Sequence, residues 1–265
     1  MTFPVYVDLA GLRLHPHLVF EALGYFAGAR VYFAQRRRER ESALPLEQNL
    51  WLLVGCIFGA WLGSKLLAWA ETPHHYLALA RTAPAALLGG KTIVGGLLGG
   101  WAGIEFVKRR LGVVRSTGDA FVWPLAVGTA IGRLGCFFTG LDDHTYGLTT
   151  ALPWGVDFGD GMLRHPTQLY ESVFVLALYF AARNRVLPDG ARFRLYFAGY
   201  FAFRFFIEFI KPRETPLAFL SAIQLASLAG VALALLSLRR LVSAAIENQP
   251  SKIKNSWTAP TSTPS

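Results

Sequence analysis

Seven long apolar runs alternate along the chain with short segments rich in Lys and Arg. A helix needs about 20 mostly apolar residues to cross a bilayer. The runs at 18–34, 49–70, 84–107, 119–141, 168–183, 193–211 and 217–238 meet or approach that length. The expected fold is all-α: a polytopic integral membrane protein with about seven transmembrane helices in a single domain over 1–247. The polar segment 141–167 separates the fourth and fifth runs and is expected to lie outside the membrane. Residues 248–265, rich in Ser, Thr, Pro, Asn and Lys, read as a disordered tail. The first run ends in Arg36, Arg37 and Arg38 without a small-residue cleavage site, so it reads as a retained span.

The basic residues set an orientation. Segments 35–48, 108–118, 183–194 and the tail each hold four Lys or Arg, sixteen in all. The alternate segments hold five: Arg13, Arg81, Arg164, Lys211 and Arg213. Only seven spans put all four basic segments on one side, which the positive-inside rule makes cytoplasmic. The N-terminus is then outside and the C-terminus inside, as in a multi-pass protein of the bacterial inner membrane.

Composition agrees with that class. The chain has 265 residues, 53% of them hydrophobic and only 16% charged, and its mean hydropathy is +0.36. The formal charge of +9 falls mostly in the short loops, so it reads as a topology signal and not as a nucleic-acid surface. Cys56 and Cys136 lie in apolar runs without a CxxC partner, which argues against a disulfide framework or a zinc site. Asp142, Asp143 and His144 carry metal-ligand chemistry, but three adjacent residues rarely share one ion. No metal or cofactor is expected.

Ionisable residues at bilayer depth are expensive unless paired or hydrated. Glu21, Arg30, Lys65, Lys91, Glu105, Arg133, Glu171, Arg204 and Glu208 all fall there. Arg30, Lys65 and Glu105 lie toward run ends and are expected to snorkel. Arg133 and Arg204 sit mid-span, where a functional reading outweighs a structural ion pair. Tyr196, Tyr200, Arg204 and Glu208 recur every four residues, with Lys211 three further on, and so share one helix face. The bland alternative is an Arg204–Glu208 pair at i, i+4, which leaves the tyrosine hydroxyls unexplained. Arg133 lies among Gly132, Gly135 and Gly140, which permit close approach of a backbone or a lipid headgroup. Its planar fork suits a phosphate. The third run repeats glycine every four residues in two registers, Gly95/Gly99/Gly103 and Gly96/Gly100, a packing signature. Arg164 and His165 directly precede the fifth run, where a helix N-terminus favours an anion.

Four segments carry a resemblance. Arg164-His165-Pro166-Thr167-Gln168-Leu169-Tyr170-Glu171 resembles the RHPSQLYE motif of prolipoprotein diacylglyceryl transferases. Pro153–Phe158, Gly132–Gly140 and Tyr200–Phe209 resemble that family's PW segment, its glycine–arginine signature and its late helix with Tyr, Arg and Glu. The likeness covers about residues 14–240, in order. It implies transfer of a diacylglyceryl group from phosphatidylglycerol to the thiol of a lipobox-containing preprolipoprotein. Carried over, Arg133, with Gly132, Gly140, Arg164 and His165 around it, binds the phospholipid. Arg204 stabilises the leaving group, Glu208 orients Arg204, and Tyr200 hydrogen-bonds headgroup or peptide. Three positions depart from the pattern. Val94 stands where the family has histidine, Cys136 where it has Asn, and Leu141 where it has an acidic residue. Lys91, one turn from Val94, is a candidate replacement charge. The rival readings are a non-catalytic phospholipid binder and a transferase with another acceptor. A small-solute transporter is disfavoured, because no inverted repeat is visible.

Overall fold

The structure is a computed structural model that describes residues 3–38, 44–212 and 219–247. Among these residues lie eight α-helices: α1 Pro16–Arg38, α2 Leu46–Glu71, α3 Pro73–Thr82, α4 Ile93–Leu111, α5 Val122–Thr139, α6 Thr167–Arg183, α7 Ala191–Ile207 and α8 Ala222–Glu247. Seven are long and α3 is short. A hairpin of β1 Val7–Leu9 and β2 Leu12–Leu14 precedes them, and a second, β3 Val156–Asp157 with β4 Leu163–Arg164, lies in the polar segment 141–167. Arg213 and the tail 248–265 lie outside the described residues. Among the described residues, three stretches are long and apolar enough to cross a membrane: Leu46–Glu71, Asp119–Asp143 and Ala222–Ala244. The chain is therefore a helical membrane protein.

The seven long helices overlap the seven apolar runs, with two large shifts: α8 continues to Glu247, past the expected end at 238, and α4 starts late. The third run was expected to form a helix from 84, but α4 begins at Ile93. Residues Pro84–Leu88 form a short 3-10 turn instead, and Gly90 takes φ +68. The Lys65 ammonium explains how this backbone tolerates burial. It donates to the carbonyls of Gly89 at 3.0 Å and Gly90 at 2.7 Å, and to that of Leu88. Lys65 is thus buried and neutralises orphan carbonyls; it does not snorkel.

Glycine sets the packing of α2 on α4. Gly55, Gly59 and Gly63 of α2 face Gly103, Gly99 and Gly95 of α4, each against a backbone carbonyl of the other helix. A Cβ on Gly59 would collide with the Gly99 carbonyl, and the reverse holds. The other register is looser: a Cβ on Gly96 would find its nearest atom at 3.8 Å. Small-residue packing of this kind holds membrane helices together where hydrophobic burial gives no net drive. Helix α1 lies along α5 in the same way, with Gly24 against the carbonyl of Gly128.

Carboxylates from other elements cap two helix starts. Asp119, just before α5, accepts from the amides of Gly190 and Phe193 at 2.8 Å each, at the start of α7. Glu71 accepts from Ile223 at 2.9 Å, at the start of α8. There Ser221 and Gln224 also cap each other reciprocally. These bonds satisfy orphan amides and fix how α5, α7 and α8 stand around the core. Tyr196, Tyr200 and Phe201 of α7 sit in that core with Val94 and Val122.

Candidate functional site: a buried arginine–glutamate cluster

Three helices converge on one carboxylate. Glu171, on the second turn of α6, is 2% exposed. Its Oε2 meets Arg133 Nη2 from α5 at 2.8 Å and Arg204 Nη1 from α7 at 3.1 Å. Its Oε1 accepts from the Tyr200 hydroxyl at 2.7 Å. Arg204 Nη2 also pairs with Glu208 Oε2 at 2.9 Å. The expected Arg204–Glu208 pair is therefore present, and it is only one edge of a larger network. Two guanidiniums and two carboxylates pair directly, with the Lys211 ammonium facing the same carboxylates, and such pairing offsets the cost of burying ionised groups.

Local sequence explains the convergence. Tyr196, Tyr200, Arg204 and Glu208 are all buried, so the four-residue repeat lies on the inward face as expected. Ser172 on α6 donates to the Ala130 carbonyl of α5 at 3.1 Å and holds those helices close. A Cβ at Gly132 would touch nothing within 4 Å, so that face of α5 is open next to Arg133 in the chain.

Not every polar atom at the cluster is used. Arg133 Nε, Arg204 Nε and both amide atoms of Gln168 are buried without a hydrogen-bond partner among the described residues. Gln168 lies one turn before Glu171 on the same helix and is 1% exposed. Buried polar groups are normally satisfied. The site thus holds three unpaired N–H donors and one unpaired amide oxygen near a fixed carboxylate.

The remaining predicted residues are engaged elsewhere. Arg164 pairs with Asp160 at 2.5 Å and lies over the Tyr146 ring. Those hydrogen bonds hold the Asp160 carboxyl below the usual carboxylate range. His165 Nδ1 lies 3.3 Å from the Tyr170 hydroxyl, which also accepts from Trp154 Nε1 at 2.8 Å. The segment 141–167 is thereby pinned to the first turn of α6. Gly140 takes φ +74 and packs against Phe3. Val94 is 1% exposed in the apolar cluster with Tyr196 and Tyr200, so no imidazole faces this region from α4. Lys91 turns away toward Glu21 of α1, at 3.6 Å, with a largely exposed side chain.

The sequence profile described as Prolipoprotein diacylglyceryl transferase matches residues 4–240. The chain belongs to that family. Among its relatives are phosphatidylglycerol–prolipoprotein diacylglyceryl transferases of known sequence. That of Geobacter sulfurreducens is 32% identical over 82% of this chain and 85% of its own length. That of Bordetella bronchiseptica is 31% identical over 82% and 87%, and that of Nostoc sp. 29% identical over 89% and 88%. Within this chain, Glu171 is the residue that sequence reasoning undervalued. It stood in the Arg164–Glu171 motif and among the ions at depth. Its role as the hub of Arg133, Tyr200 and Arg204 lies in contacts between helices.

Proposed function

We propose that the protein transfers a diacylglyceryl group from phosphatidylglycerol to the cysteine thiol of a preprolipoprotein. One observation carries this assignment to the site. Two arginines held by Glu171 keep Nε donors free beside an unpaired Gln168 amide, within a chain of the matching family. In this reading Arg133 and Arg204 grip the phosphate while Glu171 and Glu208 fix their planes, and Tyr200 fixes Glu171. The thiolate attacks the glyceryl carbon, a C–S bond forms and the C–O bond to phosphate breaks. Glycerol phosphate leaves with the electron pair, and the thiol proton leaves with it. Donors placed where that charge develops lower the barrier. Gly132, Gly140, Arg164 and His165 belong to the surroundings of the bound lipid.

The same reading takes all seven long helices as spans of the bacterial inner membrane, with the N-terminus outside and the tail in the cytoplasm. Contacts support the alternation. Arg194 at the start of α7 bonds Ser237 in the second half of α8 at 2.7 Å, and Tyr32 late in α1 stacks on Phe121 just before α5. The opposite end joins the start of α1 to the end of α5 through His17 and Asp143.

One observation favours a second reading, phospholipid binding without transfer or transfer to another acceptor: valine fills position 94. Complementation of a bacterial strain depleted of its own transferase separates the two. Restored growth supports transfer to prolipoproteins. Absence of rescue by protein correctly inserted in the membrane supports the second reading.

A further inference from the structure

At the outer end of α5, three segments bring together ligand chemistry that no run of sequence displays. His17 comes from the first turn of α1, Cys136 from the last turn of α5, and Asp143 from the 3-10 turn Gly140–Asp143 that follows. His17 Nδ1 lies 2.9 Å from Asp143 Oδ1. One donor atom each from His17, Cys136 and Asp143 lies within 4.8 Å of the other two. Gly135 allows the approach, since a Cβ there would lie 2.6 Å from the Phe20 Cβ and 3.5 Å from the His17 Cα. His144, at φ +52, turns the chain away immediately after Asp143.

We propose that His17, Cys136 and Asp143 bind one divalent transition-metal ion of the zinc class. The surroundings match what such ligands need. Asp143 Oδ2 is held by the Thr145 hydroxyl at 2.7 Å, which leaves Oδ1 for the ion. The far nitrogen of His17, Nε2, faces Glu21 Oε2 at 3.5 Å. Glu21 is itself held by the Tyr25 hydroxyl at 3.0 Å and by Lys91 at 3.6 Å. A carboxylate behind the ring is the arrangement that orients a metal-bound imidazole and makes it more basic. A thiolate, a carboxylate and a neutral imidazole balance a divalent charge. Tetrahedral zinc bonds of about 2.0–2.3 Å place donors roughly 3.3–3.7 Å apart, so shifts of about 1 Å close this set. Cys136 is buried, whereas His17 and Asp143 are partly exposed. The fourth position is thus reachable from outside.

The binding site stands on its own geometry. Its consequence rests on the transferase reading: an ion one helical turn from Arg133 would take an acceptor thiol as its thiolate.

The test uses full-length metal-free protein in detergent, titrated with cobalt(II) and read by thiolate-to-cobalt charge-transfer absorption. Wild type and Cys56→Ala should develop the band at one equivalent, and Cys136→Ala should not. His17→Gln and Asp143→Asn should each weaken affinity by about 10- to 100-fold. Folded wild type without the band overturns the proposal, as does a band that survives in Cys136→Ala. Should Cys136→Ala fail to fold, unchanged cobalt affinity in both His17→Gln and Asp143→Asn overturns it. Because the readout is metal binding, it is independent of whether the protein transfers lipid.

Discussion

Tyr200 donates its hydroxyl proton to Glu171 Oε1 at 2.7 Å, while the other oxygen of the same carboxylate joins Arg133 and Arg204. Each group fixes the next. The tyrosine sets the carboxylate plane, the carboxylate sets two guanidinium forks, and Glu208 sets the second fork from behind. Removing Tyr200's hydroxyl leaves Oε1 buried and unpaired, at a cost of about 1.5–3 kcal/mol. Tyr200→Phe should therefore stay folded with a lowered unfolding temperature in detergent. Phosphatidylglycerol affinity should fall as well, measured by binding to lipid nanodiscs.

Glu171 should matter more to folding than either arginine. Glu171→Ala strands two buried guanidiniums with one remaining carboxylate, and breaking such a network costs about 3–5 kcal/mol. Glu171→Gln keeps an acceptor for Tyr200 and should lose less. Thermal unfolding of the two variants in one detergent checks the order. A Glu171→Ala variant as stable as wild type would remove the cluster from the account of the fold.

Arg133→Lys keeps the charge and loses the planar fork. It should insert normally, yet bind phosphatidylglycerol at least tenfold more weakly. Equal lipid affinity for Arg133→Ala and wild type would take Arg133 out of the site.

The glycine seam gives a contrast within one helix. Gly99→Ala forces α4 away from the α2 backbone and should cost about 1–3 kcal/mol. Gly96→Ala, with its nearest neighbour 3.8 Å away, should stay within about 0.5 kcal/mol of wild type. Unfolding midpoints of the two variants decide it.

Topology is open to direct chemistry. In a chain whose own two cysteines are replaced by serine, an impermeant thiol reagent applied from outside should label His144→Cys and spare Arg37→Cys and Arg240→Cys. Labelling of His144→Cys only from the inside would contradict the seven-span arrangement.

How much of this was readable in the sequence differs from residue to residue. The inward face of α7 was legible, because a polar residue every four positions has no other use in an apolar helix. The start of α4 was not. Residues 84–92 are apolar enough to continue a helix, and it is the Lys65 ammonium and the Trp69 indole, both arriving from α2, that satisfy the carbonyls of Leu87 to Gly90. The Gly95/Gly99/Gly103 register could be read as packing, but its partner Gly55/Gly59/Gly63 could not be assigned until the helices were paired. Glu171 appeared in a motif without a role, since its three partners come from two other helices. Asp143 was weighed with its neighbours Asp142 and His144, yet it meets His17, more than a hundred residues away.

The central claim is that the arginine–glutamate cluster performs diacylglyceryl transfer despite Val94. The most direct measurement is transfer of a labelled diacylglyceryl group from phosphatidylglycerol to a lipobox peptide. It should be run with purified wild type, Arg204→Ala and Val94→His, each verified as folded. The account predicts thioether product from wild type and none from Arg204→Ala. Product from Val94→His alone, or wild-type rates in Arg204→Ala, would contradict it.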